Sequence, residues 1–201
     1  MGVVKLSTAG ILDYQKYSSA LAGNSPYIPF ISDFDLLETV ETGASVSSVT
    51  FSSLNSTYGS DYQHLQLRLV MQDTDALSNT QNLFLKLNGG TGSRTHYLEG
   101  DGSTVSSDTK TDSYIRVRSG FTKGGDTYGF SVSVIDILDA FDTSKNKTVR
   151  YLSGAYALNA NGVALGSGFR SDTTALDTIT LDGNDAINTG SRMSLYGLKG
   201  N

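Results

Sequence analysis

Serine catalysis needs a hydroxyl on a strained elbow beside a base, and the chain has no Gly-x-Ser-x-Gly element although its serines are abundant. Its only bases of that kind are His64 and His96. His64 stands with Gln66 and Arg68 on the polar side of an alternating segment, the usual place of a solvated or cross-strand side chain. His96 borders Tyr97 and the Gly100-Asp101-Gly102 turn, a better position for a base, but no nucleophile is patterned with it. Two histidines are too few for a three-histidine zinc site. The absence of cysteine removes disulfides, thiolate metal sites, iron–sulfur clusters and a cysteine nucleophile.

Glycoside hydrolysis needs two carboxyl groups facing each other across a cleft, and the glutamates are only Glu38, Glu41 and Glu99. Asp136, Asp139 and Asp142 recur at a three-residue spacing, and Asp182-Gly183-Asn184-Asp185 is an oxygen-rich turn. Neither matches a twelve-residue calcium loop with its terminal glutamate, so both read as caps and Asx turns. The glycine-rich pieces at 88–92 and 100–102 read as hairpin turns, because no lysine–serine pair and no helix follows them. Lys145-Asn146-Lys147 is a compact basic cluster in an exposed turn. Asn55-Ser56-Thr57 and Asn146-Lys147-Thr148 match the glycosylation pattern, which has meaning only on a secretory route. The expectation is no catalytic residue, no cofactor and no metal.

The elements that carry these residues follow from composition and period. With 22 glycines against two prolines in 201 residues, the chain reads as short extended segments joined by tight turns, one domain behind an arm. Fifteen basic against twenty acidic residues give a net charge of -5, which offers no general attraction to nucleic acid or anionic lipid. No run approaches eighteen apolar residues and no secretory leader pattern opens the chain, so a soluble, unprocessed protein is expected.

Residues 1–42 hold both prolines, Pro26 and Pro29, and a crowd of aromatic residues, and read as an N-terminal arm. Ser7 or Thr8 caps a predicted helix with Ile11, Tyr14, Ser18 and Leu21 on one face, and Gly23-Asn24 stops it. Pro26 to Phe30 is expected to be extended. Ile11, Tyr14, Tyr17, Leu21, Tyr27, Phe30 and Phe34 are the candidate contact residues, against this molecule's own body or a neighbour. From residue 46 the apolar period becomes two, clearest in Leu65, Leu67 and Leu69 and again in Leu83, Leu85 and Leu87 before Asn88-Gly89-Gly90. Further strands are predicted near 95–98, 113–118, 128–135, 148–154, 163–169, 175–181 and 192–198. Asp136 to Phe141 is predicted to make a helical turn with Ile137, Leu138 and Phe141 inward. The fold class is all-β: a single antiparallel β-sandwich, jelly-roll-like, over residues 43–201.

The order of segments is itself informative: Tyr17-Ser18-Ser19-Ala20-Leu21-Ala22-Gly23-Asn24, Phe34-Asp35-Leu36-Leu37-Glu38-Thr39-Val40 and Tyr62-Gln63-His64-Leu65-Gln66-Leu67-Arg68. Leu87-Asn88-Gly89, His96-Tyr97, Lys145 to Arg150, Ala175 to Ile179 and Gly190 to Leu198 continue it. This arrangement resembles structural proteins of tailed bacteriophages, particularly those of cyanobacteria. The resemblance spans nearly the whole chain in strand-and-turn patterns. It implies a structural role on the virion without active-site residues: capsid decoration or cementing, with other virion proteins as partners and a homo-oligomer such as a trimer. The alternative is a tail, baseplate or fibre protein with a carbohydrate-binding sandwich, in which Tyr97 and Tyr128 stack on a host glycan. The lack of tryptophan counts against that alternative.

Overall fold

The computed structural model describes residues 34–76, 80–123, 125, 129–157 and 161–200. Readings on residues 1–33, including the predicted helix and Ile11, Tyr14, Tyr17, Leu21, Tyr27 and Phe30, lie outside the described residues, as does Tyr128. Residues Asp33–Asn201 form one unit, and it is all-β. Its strands are β1 Phe34–Glu41, β2 Val46–Phe51, β3 His64–Asp73, β4 Thr80–Leu87, β5 Ser93–Gly100 and β6 Val105–Asp112, followed by β7 Ile115–Lys123, β8 Ser131–Leu138, β9 Lys147–Tyr156, β10 Asn161–Arg170, β11 Ile179–Ile187 and β12 Arg192–Leu198. A single helical turn, α1 Leu54–Tyr58, follows β2 and buries Leu54.

Hydrogen bonding arranges the strands in two ladders. The larger runs β1-β12-β3-β8-β9-β10-β5-β6, antiparallel throughout, and the smaller runs β2-β11-β4-β7. They join at the end of β3, where Gln72 and Asp73 pair in parallel with Thr122 and Lys123 of β7, and Asp73 also faces Ile187 of β11. The antiparallel expectation therefore needs this one correction. β7 touches β8, β9, β10 and β5 without pairing with them, so its side chains meet the inner positions of the larger ladder.

Period-two burial supplies the core. Leu65, Leu67, Leu69 and Met71 of β3, Leu83, Leu85 and Leu87 of β4, and Ile135 and Ile137 of β8 are all buried in one cluster. Each such side chain contributes roughly 1.5–3 kcal/mol by leaving water. Tyr151 of β9 is the largest fully buried side chain. Its cross-strand partner on β10 is Gly166, where an added Cβ would come 2.2 Å from the tyrosine ring. Glycine at that position makes room for the ring.

Three further expectations change. Residues 34–41, read as the end of the arm, are a strand of the larger ladder paired with β12, so the body begins before residue 43. Phe34, one of the candidate contact residues, packs on this molecule's own body, stacked on Tyr196 with ring centroids 4.8 Å apart. A bulge between Leu36 and Glu38 turns Leu37 and Val40 toward the core, and that three-residue spacing hides the strand from a period-two search. The helical turn expected at 136–141 is instead the end of β8, which continues to Leu138; Ile137 is buried but Leu138 is exposed, and Asp139 turns the chain at φ 48°. β6 was not foreseen: Val105 to Asp112 is polar and exposed on both faces, and forms by pairing all eight residues with β5.

Gly166→Ala is expected to cost about 1–3 kcal/mol through overpacking against Tyr151, measured by denaturant unfolding. A chain beginning at Gly43, which lacks β1 and the Tyr62 hydroxyl bond to Asp35 (3.0 Å), should melt roughly 5 °C or more below one beginning at Asp33.

Candidate functional site

The carboxylates singled out by spacing are held in turns and cross-strand pairs. Asp136 accepts from Gln66 Nε2 (2.7 Å) and Arg150 Nη2 (2.9 Å). Asp139 accepts from Gln63 Nε2 (2.6 Å) and Lys145 Nζ (2.9 Å), and these bonds, Lys145 first, hold its carboxyl below the usual range. Asp142 accepts from the Ser144 amide and hydroxyl, both at 2.6 Å. Lys147 of the basic cluster is buried, not exposed as expected: its ammonium donates to the carbonyls of Asp142 and Lys145, and burial lowers its pKa. In the oxygen-rich turn, Asp182 pairs with Lys86 at 2.5 Å and Asp185 accepts from Gln81 Nε2 at 3.3 Å. Among the described residues no three ligand-type side chains converge on a metal position.

The histidines are separated. His64 Nδ1 accepts from the Asp139 amide at 2.8 Å, closing the turn after β8. His96 Nδ1 lies 2.8 Å from Thr109 Oγ1 across β5 and β6. Beside it, on the opposite face of β5, is a polar group that the sequence did not suggest. Glu99 accepts from Arg118 Nε (2.9 Å) and Ser119 Oγ (2.7 Å), and Arg118 Nη1 donates to Asn82 (2.9 Å). The same guanidinium lies 5.0 Å from the centroid of Tyr97, so one candidate sugar platform already carries a cation. Ser119 adopts φ 49° to reach Glu99, and its partner is an acid bonded to arginine rather than a histidine. This group fixes the β5–β7 packing.

The distinctive surface lies on the other side of the larger ladder. Every large apolar side chain that the described residues leave exposed is on this outer face, from 40% exposure at Val134 to 74% at Tyr156. They line up across strands. Val134, Leu152, Leu165 and Leu98 form one row on β8, β9, β10 and β5. Val70, Val132, Gly154, Val163, Gly100 and Val105 form the next, from β3 to β6. The flanking row is polar: Gln66, Asp136, Arg150, Ser167, His96 and Thr109. Two shallow depressions of about 700 Å³ adjoin on the face, one reaching Leu152 and the other beginning at its neighbour Leu165.

Ten such side chains, each about half exposed, present on the order of 1,000 Å² of apolar surface, where the largest patch on a typical monomer is roughly 300–600 Å². Sequence reading missed this face, although its signal is present: β8, β9 and β10 carry apolar residues on both parities. Alternation names two faces without saying that both are apolar.

At the junction of the ladders Asp73 is buried, and burial pushes its pKa up to about 6, with Asp185 and Asp75 adding repulsion against the Asp75 amide bond and Lys123.

No family model and no curated protein matches the chain. Among solved structures it is similar to the binding domain of botulinum neurotoxin serotype C1, at 12% identity over 80% of this chain and 42% of that one, with a TM-score of 0.23. The chain thus spans under half the length of that structure, and likeness at this level identifies neither fold nor function.

The neutral form of Asp73 is favoured in the fold, so its contribution is full below about pH 4 and is lost as pH rises through about 6. Asp73→Asn is expected to be more stable than the parent by about 1–2 kcal/mol at pH 8, with the difference disappearing near pH 4, in urea titrations at both pH values.

Proposed function

We propose that the chain is a non-enzymatic structural protein of a tailed-phage virion, a jelly-roll-like β-sandwich that decorates or cements the capsid surface. The observation that carries this reading is the aliphatic outer face of the larger ladder. A soluble monomer gains nothing from exposing two rows of valine and leucine, whereas a protein that works in an assembly buries them against a neighbour. The resemblance of the segment order to phage structural proteins supplies the setting. The N-terminal arm, shortened to the residues ahead of β1, supplies a second contact through its aromatic side chains.

An assembly role suits this face better than sugar binding does. Sugars are held by aromatic platforms flanked by hydrogen-bonding groups, and the centre of this face offers branched aliphatic chains. It also suits the polar groups, whose carboxylates and cations are engaged with one another in turns and strand crossings.

The test is antibody labelling of purified virions of the parent phage by electron microscopy, together with a glycan array on the isolated chain. Label over the capsid with a blank array is the expected result. Label confined to the tail tip with a positive array would favour the host-recognition alternative, and particles without the chain would overturn the virion reading.

A further inference from the structure

We infer that the outer face of the larger ladder is an isologous interface that takes the same face of a second copy of this chain. This deepens the assembly reading above by naming the neighbour.

Width selects the occupant. The row from Val70 to Val105 crosses six strands, which at about 4.8 Å per strand spacing is roughly 24 Å. A helix is about 10 Å across and would cover less than half of it. A second sheet covers it entirely, since two sheets of the same twist pack face to face with their strands nearly aligned. A sheet with a matching aliphatic face and the same width is available in another copy of the molecule.

Area and charge agree with that choice. About 1,000 Å² of apolar surface on each partner meets the roughly 800 Å² per partner of a stable dimer. The chain as a whole carries a net charge of -5, which opposes self-association, but the two apolar rows contain no acid. In the flanking row Asp136 and Arg150 neutralise each other at 2.9 Å. Arg68, at the end of one apolar row, sits 5.0 Å from the ring centroids of both Phe34 and Tyr196. The face thus has the arrangement of an interface, an apolar centre with a polar margin, and its arginines Arg68 and Arg192 lie at the β3 and β12 ends of the two rows. Leu152 and Leu165 divide the two depressions, which gives one face both a ridge and hollows, the relief that a self-complementary contact uses.

Light scattering behind gel filtration on the full chain is expected to give 42.8 kDa, twice 21.4 kDa. Leu165→Glu should raise the dimer dissociation constant at least about thirtyfold and return the mass to 21.4 kDa, with the parent's far-ultraviolet circular dichroism spectrum retained because Leu165 is half exposed. Since the chain has no cysteine, Leu152→Cys provides a single thiol at the centre of the face, and Thr50→Cys provides one on exposed β2 as a control. A short bismaleimide should link two copies through Leu152→Cys and leave Thr50→Cys unlinked. A single-copy or three-copy mass for the parent chain, a dimer indifferent to Leu165→Glu, or equal linking at both thiols would overturn the proposal. The two readings fail separately: a monomer that labels virions removes the second copy and leaves the virion role, whereas the expected dimer missing from virions removes the virion role and leaves this interface.

Discussion

The fold depends on β3 being able to leave one ladder and enter the other. Its first eight residues pair with β12 and β8, and its last two pair with β7 and β11. At the crossing the backbone loses its regular partners in a place closed to water, so other polar groups must take them up. Gln72 does most of this. Its amide donates to Ser191 Oγ (3.1 Å), its carbonyl accepts from the Asn188 amide (2.8 Å), and its side chain donates to the Gly129 carbonyl (2.8 Å) while accepting from Asn188 Nδ2 (2.8 Å). Ser191 and Thr42 extend the network to the chain beyond β1. Apolar residues at these positions would leave the backbone groups unpaired, at about 1–3 kcal/mol each. The neighbouring Asp73 shows the cost of the solution, since a carboxyl held in the same place resists ionisation.

Once the two ladders are joined, the smaller one covers only the inner face of the larger. The outer side of the larger ladder then presents two aliphatic rows, centred on β8, β9, β10 and β5, to the outside. The functional proposal rests on this imbalance. Solvent does not stabilise the outer rows of valine and leucine, and the proposed reading accounts for them by a covering neighbour.

The polar chemistry of the chain serves geometry. Asp101, Asp142 and Asp172 each accept from amides and hydroxyls two or three residues on, and those bonds hold their carboxyls below the ordinary range. Tight turns between long strands need such acceptors, because their free amides would otherwise remain unsatisfied. The Glu99, Arg118 and Ser119 group is the same device inside the molecule, fixing a strained residue of β7 against β5.

The all-β class was legible in the sequence because period-two leucines at 65–69 and 83–87 can bury only one side of an extended chain, and Asn88-Gly89-Gly90 does turn with positive φ at all three residues. The absence of cysteine and the scattering of bases were equally plain. Two strands were not legible. β1 conceals its period behind a bulge, and β6 has no buried side at all, so it is held by backbone pairing to β5, an interaction that no side-chain pattern records. The candidate site was hidden for a related reason. On β8 the residues Val132 and Val134 are as apolar as Ile135 and Ile137, and sequence alternation assigns them to opposite faces without distinguishing core from surface. Only the pairing of distant strands decided which face the smaller ladder would cover, because burial depends on what packs opposite a side chain and not on the side chain alone.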